Sequence, residues 1–226
     1  MTEVISNVKR FDTRSFLAYL LKRRLDEYKQ HYPRNPKEVW VTDLTRCRHK
    51  RELELEMPEI ALTGILNPRF ILGDLIHHAV MHELDVMYII SGWKDAVKVE
   101  LEAELRKPLN VFDCPLTLVG RADVLIRSKE TGAVDEVIEI KYVGGWGSEM
   151  PWVHHRLQAE VYCWLADCKK YTIIYVSPDG LREIRGAIGN PAEVVENLLK
   201  TWVSPMWPDW ECKYCDYKPW CRITRP

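Results

Sequence analysis

Two carboxylates and a lysine sit in neighbouring apolar segments: Asp123 within Gly120-Arg121-Ala122-Asp123-Val124, then Glu139 and Lys141 within Ile138-Glu139-Ile140-Lys141. The stretch between them contains Ser128-Lys129-Glu130-Thr131-Gly132, which reads as a hairpin loop centred on Thr131 with Gly132 in the left-handed conformation. That register sets Asp123 opposite Glu139, and residues directly opposed across a hairpin hold their Cβ atoms about 5 Å apart. Lys141 lies two residues beyond Glu139 and so points to the same face. Carboxylates this close among Val124, Leu125, Ile138 and Ile140 repel each other unless a cation lies between them. Oxygen ligands favour Mg²⁺ or Mn²⁺, whose natural work is on a phosphodiester, with Lys141 as an extra positive charge. On an exposed strand face the same three residues would be ordinary solvated side chains.

A second group is sulfur. Cys212-Lys213-Tyr214-Cys215 is followed after five residues by Cys221, three thiols that cannot be saturated by pairwise disulfides and so need a fourth ligand from elsewhere. Cys47 lies far upstream, inside the basic run Arg46, Arg48, His49, Lys50 and Arg51. Four thiolates suit either structural zinc or an iron-sulfur cluster. Cys114, Cys163 and Cys168 read as buried structural thiols.

The elements that must position these groups follow from periodicity. Helical spacing of Phe16, Leu17, Leu20, Leu21, Leu25 and Tyr28 predicts an amphipathic helix over 13–32, ending before Pro33, and a second helix should follow Thr42. A third starts at Asn67-Pro68, as N-cap and first helical residue, and runs towards Tyr88 with Gly73 and His77 one turn apart. His77 is preferred over His78 and His82 as an imidazole ligand, because Gly73 would let the helix backbone approach the strands. Val97, Val99, Leu101, Ala103 and Leu105 alternate with charged residues as a strand with one wet face. Further strands are expected over 116–127, 136–143, 171–177 and 181–187. A helix over 151–167 follows the loop Gly144-Gly145-Trp146-Gly147, and a last helix starts at Asn190-Pro191.

The chain has 226 residues, 46% of them hydrophobic, which is enough for one substantial core. We expect one compact domain in three parts: 1–66 an N-terminal helical region with one cluster cysteine, 67–189 the core, and 190–226 a C-terminal helix and cysteine tail. Lys and Arg (32) balance Asp and Glu (33), so a polyanion would have to be held by a local patch. The opening residues lack the apolar core of a signal peptide and no run is long enough to span a bilayer, so we expect a cytoplasmic protein without membrane contact.

In this order, Gly73 and His77, Gly120 to Val124, Glu139-Ile140-Lys141, then Gln158 and Tyr162 resemble the motifs of RecB-like PD-(D/E)XK nucleases. The resemblance implies an α/β restriction-endonuclease-like fold, a mixed central sheet flanked by helices. It implies that His77, Asp123, Glu139 and the Ile140 carbonyl hold the metal, that Lys141 orients or activates water, and that Gln158 and Tyr162 touch the substrate. The surroundings of Cys47 are similar to those of nucleases that clasp an iron-sulfur cluster, 4Fe-4S or 2Fe-2S, between their chain ends, here by Cys47, Cys212, Cys215 and Cys221. From about Thr42 to Cys221 the chain resembles the Cas-four family of CRISPR-associated exonucleases. That family implies cleavage of single-stranded DNA ends, often 5′ to 3′, and trimming of spacer precursors with the Cas-one and Cas-two integration proteins. Arg46, Arg48 and Trp146 are the expected DNA contacts. A repair or replication nuclease, or a zinc-containing binding module without activity, are the alternatives.

Overall fold

The computed structural model describes residues 15–111, 114–147, 149–201 and 209–222. Chain order is α1 (Phe16–His31), β1 (Glu38–Trp40), α2 (Val41–Leu44), α3 (Arg48–Glu56), a 3₁₀ segment (Pro58–Leu66), α4 (Pro68–Ile90), β2 (Val97–Val111), β3 (Cys114–Ser128) and β4 (Val134–Tyr142). Then come α5 (Val153–Leu165), β5 (Lys170–Ser177), β6 (Gly180–Ala187), α6 (Pro191–Thr201) and two 3₁₀ turns, Asp209–Tyr214 and Lys218–Trp220. The helix expected after Thr42 is two helices broken at 45–47, with Cys47 capping the second. Asn67 caps α4 as its sequence predicts, its side chain accepting from the Arg69 N–H, with Pro68 in the first turn. No described helix is long and apolar enough to cross a membrane.

One mixed sheet of six strands forms the centre. β2 runs antiparallel to β3 along its whole length, while β1 pairs parallel with β3 at 117–119 and β4 pairs antiparallel with it at 124–127. A strand has two edges, so β1 and β4 share the one that β2 leaves. Gly120 to Asp123 therefore lie in a gap between them. β5 continues parallel from β4, and β6 closes the edge antiparallel. The sheet is covered on both faces. Val137, Ile173 and Tyr175 pack with Ala159, Val161 and Leu165 of α5 and with Val195 and Leu198 of α6. Ile138 and Ile140 pack on the opposite face with Met81 and Tyr88 of α4.

Two neighbouring strands change face at one point. Leu101 pairs with Val124 and Ala103 with Ala122, but Glu102 and Asp123 between them do not pair, and Glu102 has φ 48°. A left-handed non-glycine residue costs roughly 1–2 kcal/mol, and here it reverses the parity of the strand. Val97 and Val99 accordingly pack on the α4 side and Ala103 and Leu105 on the α5 side, with Leu101 exposed. The uninterrupted alternation expected from the sequence is thus two half-strands facing opposite ways.

The gap beside β3 is filled by side chains. A Cβ on Gly120 would lie 2.5 Å from the Tyr162 ring and 2.6 Å from Val41, so only glycine fits. The N-terminal elements are anchored by Arg34, which is buried between Asp43 and Glu54 and donates to both. Gly120→Ala should destabilise the fold by about 1–3 kcal/mol through overpacking, read as a lower urea midpoint with an unchanged slope.

Candidate functional site

Asp123 occupies the point where β3 parts from β4. Pairing of the two strands stops at Val124 and Ile138, and the next free N–H on β4, that of Ile140, donates instead to Asp123 Oδ2 at 2.7 Å. The register extrapolates to Asp123 opposite Glu139, as the hairpin reading expected. A shift near Ile126 and Arg127 takes up the one-residue difference at the turn, where Gly132 has φ 71°.

Glu139 is 1% exposed. Its Oε2 accepts from Lys141 Nζ at 2.8 Å, and the same ammonium donates to Gln158 Oε1 at 3.0 Å. Its other oxygen, Oε1, is buried with no hydrogen-bond partner. Burial, then the neighbouring Asp123 charge, push the Glu139 carboxyl up to about 7, against the opposing pull of Lys141 and His77. From α4, His77 brings Nε2 to 2.6 Å from Asp123 Oδ2, but out of line for a ring N–H donor, so this buried nitrogen makes no directed hydrogen bond. His77, rather than His78, is the imidazole brought to the carboxylates.

Among the described residues no three His, Cys, Asp or Glu side chains already form a metal-holding group. The donor chemistry nevertheless fits a small divalent cation: two carboxylates and an imidazole meet, and both Glu139 Oε1 and His77 Nε2 are buried without hydrogen-bond partners. Buried polar atoms without partners are costly and mark a place where something else must bind.

Other residues singled out in the sequence have different surroundings from those expected. Tyr162 is 4% exposed, and its hydroxyl donates to the Arg121 carbonyl at 3.0 Å. It satisfies the backbone in the β3 gap and does not face solvent, where a substrate would lie. Gln158 faces Lys141. One face of the Trp146 ring is covered by the Arg182 guanidinium at 4.4 Å, which leaves less of it for stacking on a base. Within the basic run, Arg48 pairs with Glu52, Lys50 with Glu211, and Arg51 donates to the carbonyls of Pro36 and Glu38. Arg46 is exposed.

Sequence reasoning missed two features. His155 bonds through Nδ1 to Tyr175 Oη at 3.0 Å and packs with its ring centroid 4.1 Å from that of His154. Burial and then nearby cations lower their pKa values, to about 2 for His155 (Lys141 first) and about 4 for His154 (Arg46 first), so both imidazoles are neutral. The second feature is a cleft of about 310 Å³ lined by Arg24, Arg69, Gly73, His77, Lys141 and Tyr142, which reaches the site at His77 and Lys141. Arg69 is one helical turn before Gly73 and two before His77, a spacing visible in the sequence.

The four cysteines Cys47, Cys212, Cys215 and Cys221 line one small cavity with Lys50, Leu53, Glu211 and Lys218. The chain ends are tied there by the Cys47 N–H donating to Glu211 Oε2 (2.8 Å) and Tyr217 Oη donating to the Met57 carbonyl (3.3 Å). Burial pushes the Cys47 and Cys215 thiols up. Four thiols gathered in one cavity at the junction of both ends fit a thiolate-bound centre. Cys163 and Cys168 are buried at the end of α5, and Cys114, expected to be buried, is exposed.

Comparison with known proteins agrees with this architecture. Residues 78–222 match the model of the PD-(D/E)XK nuclease superfamily. The chain is 31% identical over 209 residues to the CRISPR-associated exonuclease Cas4 of Saccharolobus solfataricus, covering 90% of this chain and 96% of that protein. It superposes on the crystal structure of SSO0001 with a TM-score of 0.79 at 30% identity, covering 93% of this chain and 97% of the other.

The Glu139 carboxyl generates a stability prediction. Its folded value lies above the unfolded 4.5, so its contribution to stability is complete below that pH and lost as pH rises through about 7. Glu139→Gln, which mimics the protonated form, should therefore raise the Tm of metal-free protein at pH 8 and leave it nearly unchanged at pH 4.5. Thermal unfolding in EDTA at the two pH values checks this.

Proposed function

The chain belongs to the CRISPR-associated Cas4 exonucleases of the PD-(D/E)XK nuclease superfamily, and from that membership we propose that it cleaves single-stranded DNA from its ends, 5′ to 3′, trimming spacer precursors in CRISPR adaptation. The observation that carries this reading is the meeting of Asp123, Glu139 and His77 at the β3–β4 fork, with two buried donor atoms lacking hydrogen-bond partners and Lys141 alongside.

Asp123, Glu139, His77 and the Ile140 carbonyl would hold Mg²⁺ or Mn²⁺. Bound there, the cation supplies an activated water and neutralises charge on the phosphate undergoing in-line attack. The protein's own groups set the geometry. The Ile140 N–H fixes Asp123, Gln158 restrains Lys141 from the α5 side, and Tyr162 holds the β3 backbone that carries Asp123. Lys141 keeps a positive charge beside the reacting phosphate, where low dielectric makes it worth far more than in water. The neutral His154 and His155 can offer hydrogen bonds or stacking but no charge. Arg46 is the exposed cation of the basic turn for the DNA backbone, and Arg48 and Trp146 can join it only by giving up Glu52 and Arg182.

Cys47, Cys212, Cys215 and Cys221 hold an iron-sulfur cluster in this reading, a clasp between the two chain ends. The setting is cytoplasmic, with the Cas-one and Cas-two integration proteins as partners.

End-labelled single-stranded DNA incubated with Mn²⁺ tests the assignment. Asp123→Ala, Glu139→Ala and Lys141→Ala should each lower kcat by at least about 100-fold, and EDTA should abolish cleavage. Tyr162→Phe should reduce stability with a smaller effect on rate. Equal trace cleavage in wild type and all variants would overturn the proposal. Anaerobically purified protein should be brown, and Cys215→Ala should bleach it; a colourless protein containing zinc would remove the cluster but not the nuclease.

A further inference from the structure

Gly73 was expected to bring α4 close to the strands, and it does not. A Cβ at this position would meet no heavy atom within 4 Å, in contrast to Gly120, where it would collide with two side chains. Glycine in the interior of a 23-residue helix is unfavourable relative to alanine, and nothing in the packing of the protein requires it here. The space beside it is the cleft that reaches His77 and Lys141.

The residues on either side of Gly73 are suited to a nucleic-acid strand. Arg69 and Phe70 precede it by four and three residues and His77 follows by four, so all lie on one face of α4. Both Arg69 and Phe70 line the cleft, and Phe70 is 50% exposed there. Opposite stand Lys141 and Tyr142 of β4, while the Arg24 guanidinium is committed to Asp74 and to the Ile65 carbonyl.

We infer that the Arg69–Phe70–Gly73 face of α4 is the track of the substrate strand: Gly73 admits the sugar-phosphate backbone against the helix, Arg69 holds a phosphate, and Phe70 stacks on a base. The inference rests on the nuclease reading and specifies which surface delivers the strand to the metal. It also explains a preference for single strands. Stacking on an aromatic side chain needs an unpaired base, which a duplex does not offer.

The test separates binding from cleavage. Full-length wild type, Gly73→Ala, Gly73→Leu, Arg69→Ala and Phe70→Ala are titrated against a fluorescein-labelled single-stranded oligonucleotide in Ca²⁺, with Tm and Mn²⁺ affinity recorded for each. Gly73→Ala should raise Tm and weaken DNA binding several-fold. Gly73→Leu should weaken binding by at least about tenfold with Mn²⁺ affinity unchanged. Arg69→Ala should lower the salt dependence of binding by about one ion, and Phe70→Ala should narrow the gap between single- and double-stranded affinity. Wild-type DNA affinity in both Gly73 variants, or a fall in Tm on Gly73→Ala, would overturn the track. Should the leucine variant unfold, the alanine variant decides. Wild type that binds DNA through this face but does not cleave it would sink the nuclease reading and leave the track standing.

Discussion

The second edge of β3 is shared by two strands that do not meet, and the backbone in between must find hydrogen bonds without a neighbour. Buried N–H and C=O groups are rarely left unpaired, so the gap has to be filled by side chains. Tyr162 supplies a hydroxyl to the Arg121 carbonyl, and Asp123 offers a carboxylate oxygen to the Ile140 N–H. The same requirement that keeps the sheet intact therefore draws an acidic side chain to the fork. Glu102 is left-handed across from Asp123, so at the fork the pairing of β2 with β3 is broken and the pairing of β3 with β4 stops.

From that interruption the electrostatics follow. Asp123 and Glu139 meet at the strand junction, the first beside His77 of α4 and the second beside Lys141, which Gln158 of α5 also holds. The Glu139 carboxylate is too deeply buried to ionise cheaply alone, as its raised value records. A site with negative charge in excess of its donors is stable only by taking up protons or a cation, and that is what makes a divalent metal both welcome and chemically potent there.

The layers around the sheet divide the remaining work. α5 lies under the fork and carries Gln158 and Tyr162, so it serves position more than contact with substrate. α4 covers the other face, burying Met81 and Tyr88 at its C-terminal half while its N-terminal half, with Phe70, Leu72 and Leu75 exposed, borders the cleft. α1, unplaced by sequence motifs, packs on the Pro58–Leu66 segment through Tyr28 and reaches α4 through Arg24. The chain ends meet behind this through Tyr217, Leu53 and Ile60.

Local rules determined much of this protein. The N-cap at Asn67, the left-handed Gly132 and the apolar periodicity of the helices depend on residues near in sequence, and the order of Asp123, Glu139, Lys141 and His77 identified the family. What tertiary structure alone decided lies where distant elements compete for the same space. Tyr162 and Gly120 belong together only because β1 and β4 leave a gap on β3, and Trp146 meets Arg182 from a strand more than thirty residues away. The period-two row from Val97 to Leu105 looked continuous because a pattern of residue types cannot register one left-handed dihedral at Glu102. Gly73 looked like a packing residue because a missing side chain gives no sign, in sequence, of whether protein or open space lies beside it.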